Sequence, residues 1–180
     1  AAGLYSATSI DLVESAELVA SLTLTVAGLQ DGSAEELVID GEALARSFAV
    51  NAIGPALVLK HFLPLLPRQG KAVFAAISAK VGSIGDNRLG GWYGYRAAKA
   101  ALNQLVHTAA IELARNRPEA ICLTLHPGTV ATPLSAPFSG AGHAPLPAAA
   151  AAERLLGVLE NARAGDSGKM LDHTGLPLPW

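Results

Sequence analysis

The chain has 180 residues, about half of them apolar (51%) and only 16% charged, with a net charge of −2. That is one domain's worth of sequence with enough apolar side chains for a real core, and it excludes a disordered segment or a coiled coil. The small negative charge offers no footprint for nucleic acid or an anionic membrane, and no uninterrupted apolar run reaches membrane-spanning length. The single cysteine, Cys122, cannot form an internal disulfide, so a reducing cytoplasm is the expected compartment. Ala1–Tyr5 lack the basic flank and apolar centre of a signal peptide.

In chain order, Asp11 to Ser21 read as a short helix, and Leu22-Thr23-Leu24-Thr25-Val26 as a buried strand closed by Ala27-Gly28. A long helix is expected from near Gly41 to Leu66, with Leu44, Phe48, Ala52, Leu59, Phe62 and Leu63 inward, stopped by Pro64, Pro67 and Gly70. Ala72–Ile77 is a fully apolar strand, followed by a glycine-rich loop from Gly82 to Gly94. The helix that opens at Tyr95 carries a buried stripe of Leu102, Leu105, Val106, Ala109 and Leu113 and meets no Gly or Pro until Pro118. Ile121–Leu125 is a further apolar strand, broken by His126-Pro127-Gly128. Thr132 to Pro147 holds four prolines and two glycines and reads as a flap. A last helix runs from Pro147 to about Ala162, and the tail has room for one short strand.

Alternating buried strands and amphipathic helices predict an α/β fold, a doubly wound parallel sheet covered on both faces, as a single domain over 1–180. Ligands of such sheets bind at the carboxyl ends of the strands, where Ala27-Gly28, Ser78 and Pro127-Gly128 all fall.

Tyr95 and Lys99 are the chemical centre of the chain. Four residues apart, they lie one above the other on a helix face. A neighbouring ammonium favours the phenolate, so the phenol is expected to titrate below its ordinary value and to exchange a proton with a carbonyl or alcohol. Alone, the pair reads as readily as a packed tyrosine and a solvated lysine. Asn51 carries a second signal. Its carbonyl would normally accept from residue 55, but Pro55 has no amide hydrogen, so the helix is expected to kink there and leave a carbonyl for an ordered water.

Together Tyr95/Lys99, helix-borne Asn51, His126-Pro127-Gly128-Thr129-Val130-Ala131-Thr132 and their spacing resemble the short-chain dehydrogenase/reductase family. Val81–Gly85 and the ending Gly175–Trp180 look like its C-factor-type branch. The resemblance implies a Rossmann-like fold, NAD or NADP as cofactor, and hydride transfer to or from a small carbonyl or alcohol. It makes Tyr95 the proton donor or acceptor, with Lys99 lowering its pKa and holding the cofactor ribose. Asn51 would hold a relay water, and Pro127, Gly128, Val130 and Thr132 would wrap the nicotinamide. Ala27 and Gly28 are matched to the family's cofactor-binding N-N-A-G segment. No metal site is implied. A homo-oligomer, dimer or tetramer, is expected through the helices around Ala43–Leu66 and Tyr95–Arg115.

Two departures stand out. The family's catalytic serine position is Ala79, with Ser78 beside it; neighbours on a strand point to opposite faces, so Ser78 substitutes only if the strand end twists or slips. The G-x-x-x-G-x-G loop that binds the diphosphate has no counterpart here, so the fold is expected to be N-terminally incomplete. These departures keep open an alternative: a non-catalytic signalling or interaction protein with the same fold and no cofactor.

Overall fold

The computed structural model describes residues 39–132, 135 and 145–180. The expected helix over 11–21, the strand Leu22–Val26, the cofactor positions Ala27 and Gly28, and most of the flap lie outside the described residues.

Four strands form one sheet in the order β1 (Ala72–Ile77), β2 (Ala120–His126), β3 (Met170–Asp172), β4 (Pro177–Leu178). β1 and β2 are parallel, with Ala72 opposite Ala120 and Ile77 opposite Leu125. β3 is parallel to β2, and β4 returns antiparallel to β3. The tail thus holds two strands rather than the one expected. An Asp-centred turn makes the hairpin, for Asp172 Oδ1 accepts from the amides of Thr174 and Leu176, and Gly175 adopts φ +87°.

Parallel strands buried on both faces need helices on both. β2 alternates accordingly. Ala120 and Cys122 meet Leu59, Leu102, Val106, Ala110 and Leu113, which belong to α2 (Gly54–Phe62) and α3 (Tyr93–Ala114). Ile121, Leu123 and Leu125 face the other way, onto Val158 and Ala162 at and just beyond α4 (Ala148–Asn161) and Leu171 of β3. Leu102 is fully buried, which contributes about 2–3 kcal/mol.

The long helix expected from Gly41 is one run in four parts. α1 (Gly41–Phe48) is capped by Asp40, whose Oδ1 accepts from the Ala43 amide at 2.6 Å. A π turn, Ala49–Ile53, follows before α2, and a 3₁₀ turn, Leu63–Leu65, ends the run. Within the π turn the Gly54 amide reaches back five residues to the Ala49 carbonyl. The distortion predicted from Asn51 and Pro55 is therefore a widened turn: the helix takes in an extra residue beside the proline that cannot donate. By length and composition the run Gly41–Leu65 could cross a membrane, which its broken apolar pattern did not foretell. Here the π turn and α2 pack on α3, burying Ala52 and Leu59. Phe62 and Leu105 were expected inside; both are exposed, along with Ile53, Leu57 and Ile111.

Leu102→Ala should cost 2–5 kcal/mol in urea unfolding, since the cavity would sit between α3 and β2 with both walls fixed. A loss below about 1 kcal/mol would show that the face is loosely packed.

Candidate active site

α3 is launched by three successive residues in left-handed backbone, Gly90, Gly91 and Trp92 (φ +67°, +69° and +50°). Arg96 fastens this turn. Its Nε donates to the Gly90 and Gly91 carbonyls, its Nη1 to the Val81 carbonyl, and its guanidinium lies 5.5 Å from the Trp92 ring. Nothing in the sequence pattern marks Arg96 for this role, although it stands inside the Tyr95–Lys99 run.

One turn on, Lys99 is 7% exposed, and its Nζ donates to the carbonyl of Ile77, the last residue of β1, at 3.0 Å. The ammonium lies 5.7 Å from the centroid of the Tyr95 ring. Tyrosine and lysine are thus brought together at the carboxyl edge of the sheet, as their spacing predicts. The electrostatics differ from expectation. Burial lowers the Lys99 amine to about 8 and raises the Tyr95 phenol above its ordinary value. Desolvation penalises the charged form of each group, so both are pushed towards their neutral forms.

β1 leads into this edge through Ser78 and Ala79. The Ser78 amide donates to the Leu125 carbonyl at 2.8 Å, extending the parallel ladder past Ile77. Its side chain is 2% exposed, and Oγ donates to Asn103 Oδ1 at 2.7 Å. Ala79 is extended (φ −144°, ψ 146°) and half-buried. The bond from the Ser78 amide to Leu125 continues the register that sets Ile77 opposite Leu125, with no slip at the strand end. Ser78 points into the interior, and the position facing the other way carries only a methyl group.

Asn51 is 4% exposed in the π turn against α3, and its Nδ2 donates to the Ser47 carbonyl at 3.1 Å. Asn51 is therefore inside the protein, out of bulk solvent.

At the end of β2, Gly128 adopts φ +78°, and a side chain there would come within 3.2 Å of the His173 ring. His126 is lowered to about 4, first by burial and then by His173 beside it. Val130 pairs with Leu146 in a parallel bridge, the Ala131 amide donates to Leu146 O, and the Leu146 amide donates to Thr129 O. Thr132 closes the turn with Ser135, whose hydroxyl donates to the Val130 carbonyl and accepts from the Thr132 amide. Pro127, Gly128, Val130 and Thr132 thus form one tied segment leaving the same sheet edge that holds Lys99.

Residues 14–164 match the family described as "Enoyl-(Acyl carrier protein) reductase". The chain belongs to the short-chain dehydrogenase/reductase family. It is thereby a member of a family of NAD(P)-dependent oxidoreductases, with the Rossmann fold. It is 35% identical over 143 residues to the C-signal of Myxococcus xanthus, covering 79% of this chain and 81% of that protein. It is 32% identical over 142 residues to a 1-hydroxy-2-glutathionyl-2-methyl-3-butene dehydrogenase of Rhodococcus sp., covering 79% of this chain but 61% of the relative. Among solved structures, an NADPH-bound carbonyl reductase from chicken fatty liver superposes with a TM-score of 0.70 at 25% identity, covering 95% of this chain and 75% of that one.

A buried amine at the end of β1 and a tied Pro-Gly turn after β2 stand at the same edge of the sheet, groups of the kind that could hold the nicotinamide and ribose half of such a cofactor. Among the described residues no G-x-x-x-G-x-G loop is present for the diphosphate.

Lys99 generates a pH test. Between about 8 and 10.5 the unfolded chain holds a proton that the native Lys99 has released, so this lysine makes stability rise with pH across that window and adds no slope below it. The difference in urea stability between wild type and Lys99→Met should climb from pH 8 to 10.5. A flat difference would show that the amine keeps its ordinary proton affinity.

Proposed function

We propose that the protein carrying this chain is a carbonyl reductase or alcohol dehydrogenase using NADH or NADPH, with Tyr95 as the proton-transfer residue. The observation that carries this reading is the buried Lys99 ammonium beside the Tyr95 ring at the carboxyl end of β1. The nicotinamide, when bound, gives or takes the hydride at the substrate carbon. Burial favours the protonated form of the phenol, so Tyr95 holds the proton that a developing alkoxide would take up. The phenolate left behind lies close to the Lys99 ammonium, which stabilises it. Lys99 would also hold the ribose, and Asn51 the relay water. Pro127, Gly128, Val130 and Thr132 would hold the nicotinamide, with Ala27 and Gly28 on the cofactor side. Related carbonyl reductases support the cofactor class: one from Pseudomonas aeruginosa, 31% identical with a TM-score of 0.64, is described in complex with NADP.

Ser78 is left out of this assignment, because its hydroxyl is committed to Asn103. Ala79 supplies no donor to the substrate oxygen, and that observation favours a second reading, a signalling or interaction protein without turnover. The name of the C-signal relative points the same way. Turnover of a carbonyl substrate with NADPH separates the two.

The exposed apolar side chains of the π turn, α2 and α3, Ile53, Leu57, Leu105 and Ile111, fit a surface shared with a second copy rather than lipid, since charged Arg46 and Lys60 are exposed on the same helical run. A cytoplasmic location accords with the lone buried thiol, Cys122, which burial pushes up to about 12.

Tyr95→Phe should lower kcat by about 10²–10⁴-fold while NADPH binding stays near wild type, and Lys99→Ala should damage both. A Tyr95→Phe protein with near-wild-type kcat would overturn the assignment. Ala79→Ser should raise kcat, by up to about tenfold, by returning a donor to the substrate oxygen. Sedimentation at micromolar concentration should show a dimer or tetramer, which Ile53→Glu with Ile111→Glu dissociates; a wild-type monomer would count against the shared surface.

A further inference from the structure

We infer that Asn103 is a positioning residue for Lys99, clamping both ends of the segment 78–82 onto α3 beneath the ammonium. The inference rests on the reading of Tyr95 and Lys99 as the acid–base pair, and it adds a residue which that reading does not contain.

Asn103 follows Lys99 by four residues and so lies on the same face of α3, one turn further along. It is 2% exposed, in a stretch whose other buried members are Leu102 and Val106. An amide in such a place costs free energy unless its hydrogen bonds are made. They are made to the start and the end of one short segment. Ser78 Oγ donates to Oδ1 at 2.7 Å, Nδ2 donates to the Gly82 carbonyl at 3.4 Å, and Nδ2 also lies 3.6 Å from Met170 Sδ. A carbonyl can only accept, so Gly82 fixes which end of the amide is nitrogen, and Ser78 must then be the donor.

The clamped segment is in contact with the lysine. A Cβ at Gly82 would stand 2.7 Å from Lys99 Cβ and 2.9 Å from its carbonyl carbon, so the glycine lies directly on the root of that side chain. At the other end, Ser78 is held by Leu125 O through its amide and by Asn103 through its hydroxyl. The carbonyl presented to Lys99 Nζ belongs to the same Ile77–Ser78 peptide. Asn103 therefore sets the acceptor for the ammonium and the cover over its stem. It also sets the direction in which Ala79 faces. A residue that only filled the core would not bond the two ends of this segment and leave its middle facing the site.

The test compares Asn103→Leu, Ser78→Ala and the double variant with Leu113→Ala, a core variant remote from the clamp. Acetic anhydride labelling of Lys99, followed by mass spectrometry across pH 6–11, reads the lysine directly and needs no activity. Steady-state kinetics with NADPH give kcat, KM and their pH profiles. With the clamp cut, water reaches the lysine stem. The labelling midpoint should then move up by about one pH unit or more, towards the ordinary lysine value, while Leu113→Ala leaves it in place. kcat/KM should fall about tenfold with a displaced pH profile. The double variant should be little worse than Asn103→Leu, because the Ser78 bond is already lost there. Should Asn103→Leu fail to fold, Ser78→Ala carries the same comparison.

Folded clamp variants whose Lys99 labelling and pH profile match wild type would overturn the inference and leave Asn103 a packing residue. A wild type that neither binds nor turns over NADPH would sink the functional reading, while the labelling would still decide whether Asn103 positions Lys99.

Discussion

A lysine with 7% of its surface exposed needs a partner for its ammonium, and here that partner is the main-chain carbonyl of Ile77. Much of the local architecture follows from bringing α3 close enough to the end of β1 for this bond. Gly82 is needed where the chain crosses Lys99, since any side chain there would collide with the helix. Gly94 leaves space for α1, with Leu44 and Ser47 packed at 3.4 and 3.7 Å from where its Cβ would be. Ala98, fully buried, gives the same tight approach one residue before the lysine. Arg96 anchors the incoming loop from the other side. The lysine thus sits where strand, turn and helix are each held by independent bonds, and that rigidity orients a flexible side chain.

Burial acts on both members of the pair, and in opposite directions. It lowers the amine and raises the phenol, so each is pushed towards its neutral form. A neutral phenol is the form that donates a proton. The amine at about 8 remains mostly charged at neutral pH, ready to stabilise a phenolate once the proton has left. In the proposed reaction, the ammonium would act by stabilising the phenolate left after proton transfer. Differential stabilisation of that kind is what speeds a reaction.

The end of β2 shows the same use of packing to fix a loop. Gly128 lies in left-handed backbone against the His173 ring, and burial with His173 keeps His126 uncharged near neutral pH. The His173 ring packs against Gly128 in a turn whose continuation is tied by the Val130–Leu146 bridge. The turn between β3 and β4 supplies His173, so the small C-terminal hairpin supports the segment assigned to the nicotinamide.

The sequence by itself determined the alternation of strands and helices, the Tyr95–Lys99 pairing and the distortion at Asn51. Each follows from short-range rules: apolar periodicity, four-residue helical spacing and the missing amide of Pro55. The match of motifs in order was enough to place the chain in its family. Only the tertiary structure decided the direction of Ser78, because the inward face at a strand end depends on whether the ladder continues, and here the Leu125 carbonyl continues it. Leu105 and Phe62 lie outside although their spacing fits a buried stripe, since the width of that stripe is set by the elements packed on it. Asn103 and Arg96 stayed hidden because their partners, Ser78, Gly82, Gly90 and Val81, are separated from them along the chain or offer main-chain groups that no side-chain pattern reveals. A polar residue four positions beyond Lys99 in a buried stripe was the available signal. The proton affinity of Tyr95 escapes the sequence for a related reason: spacing reports a neighbour, while burial, which raises the phenol, is a property of the assembled fold.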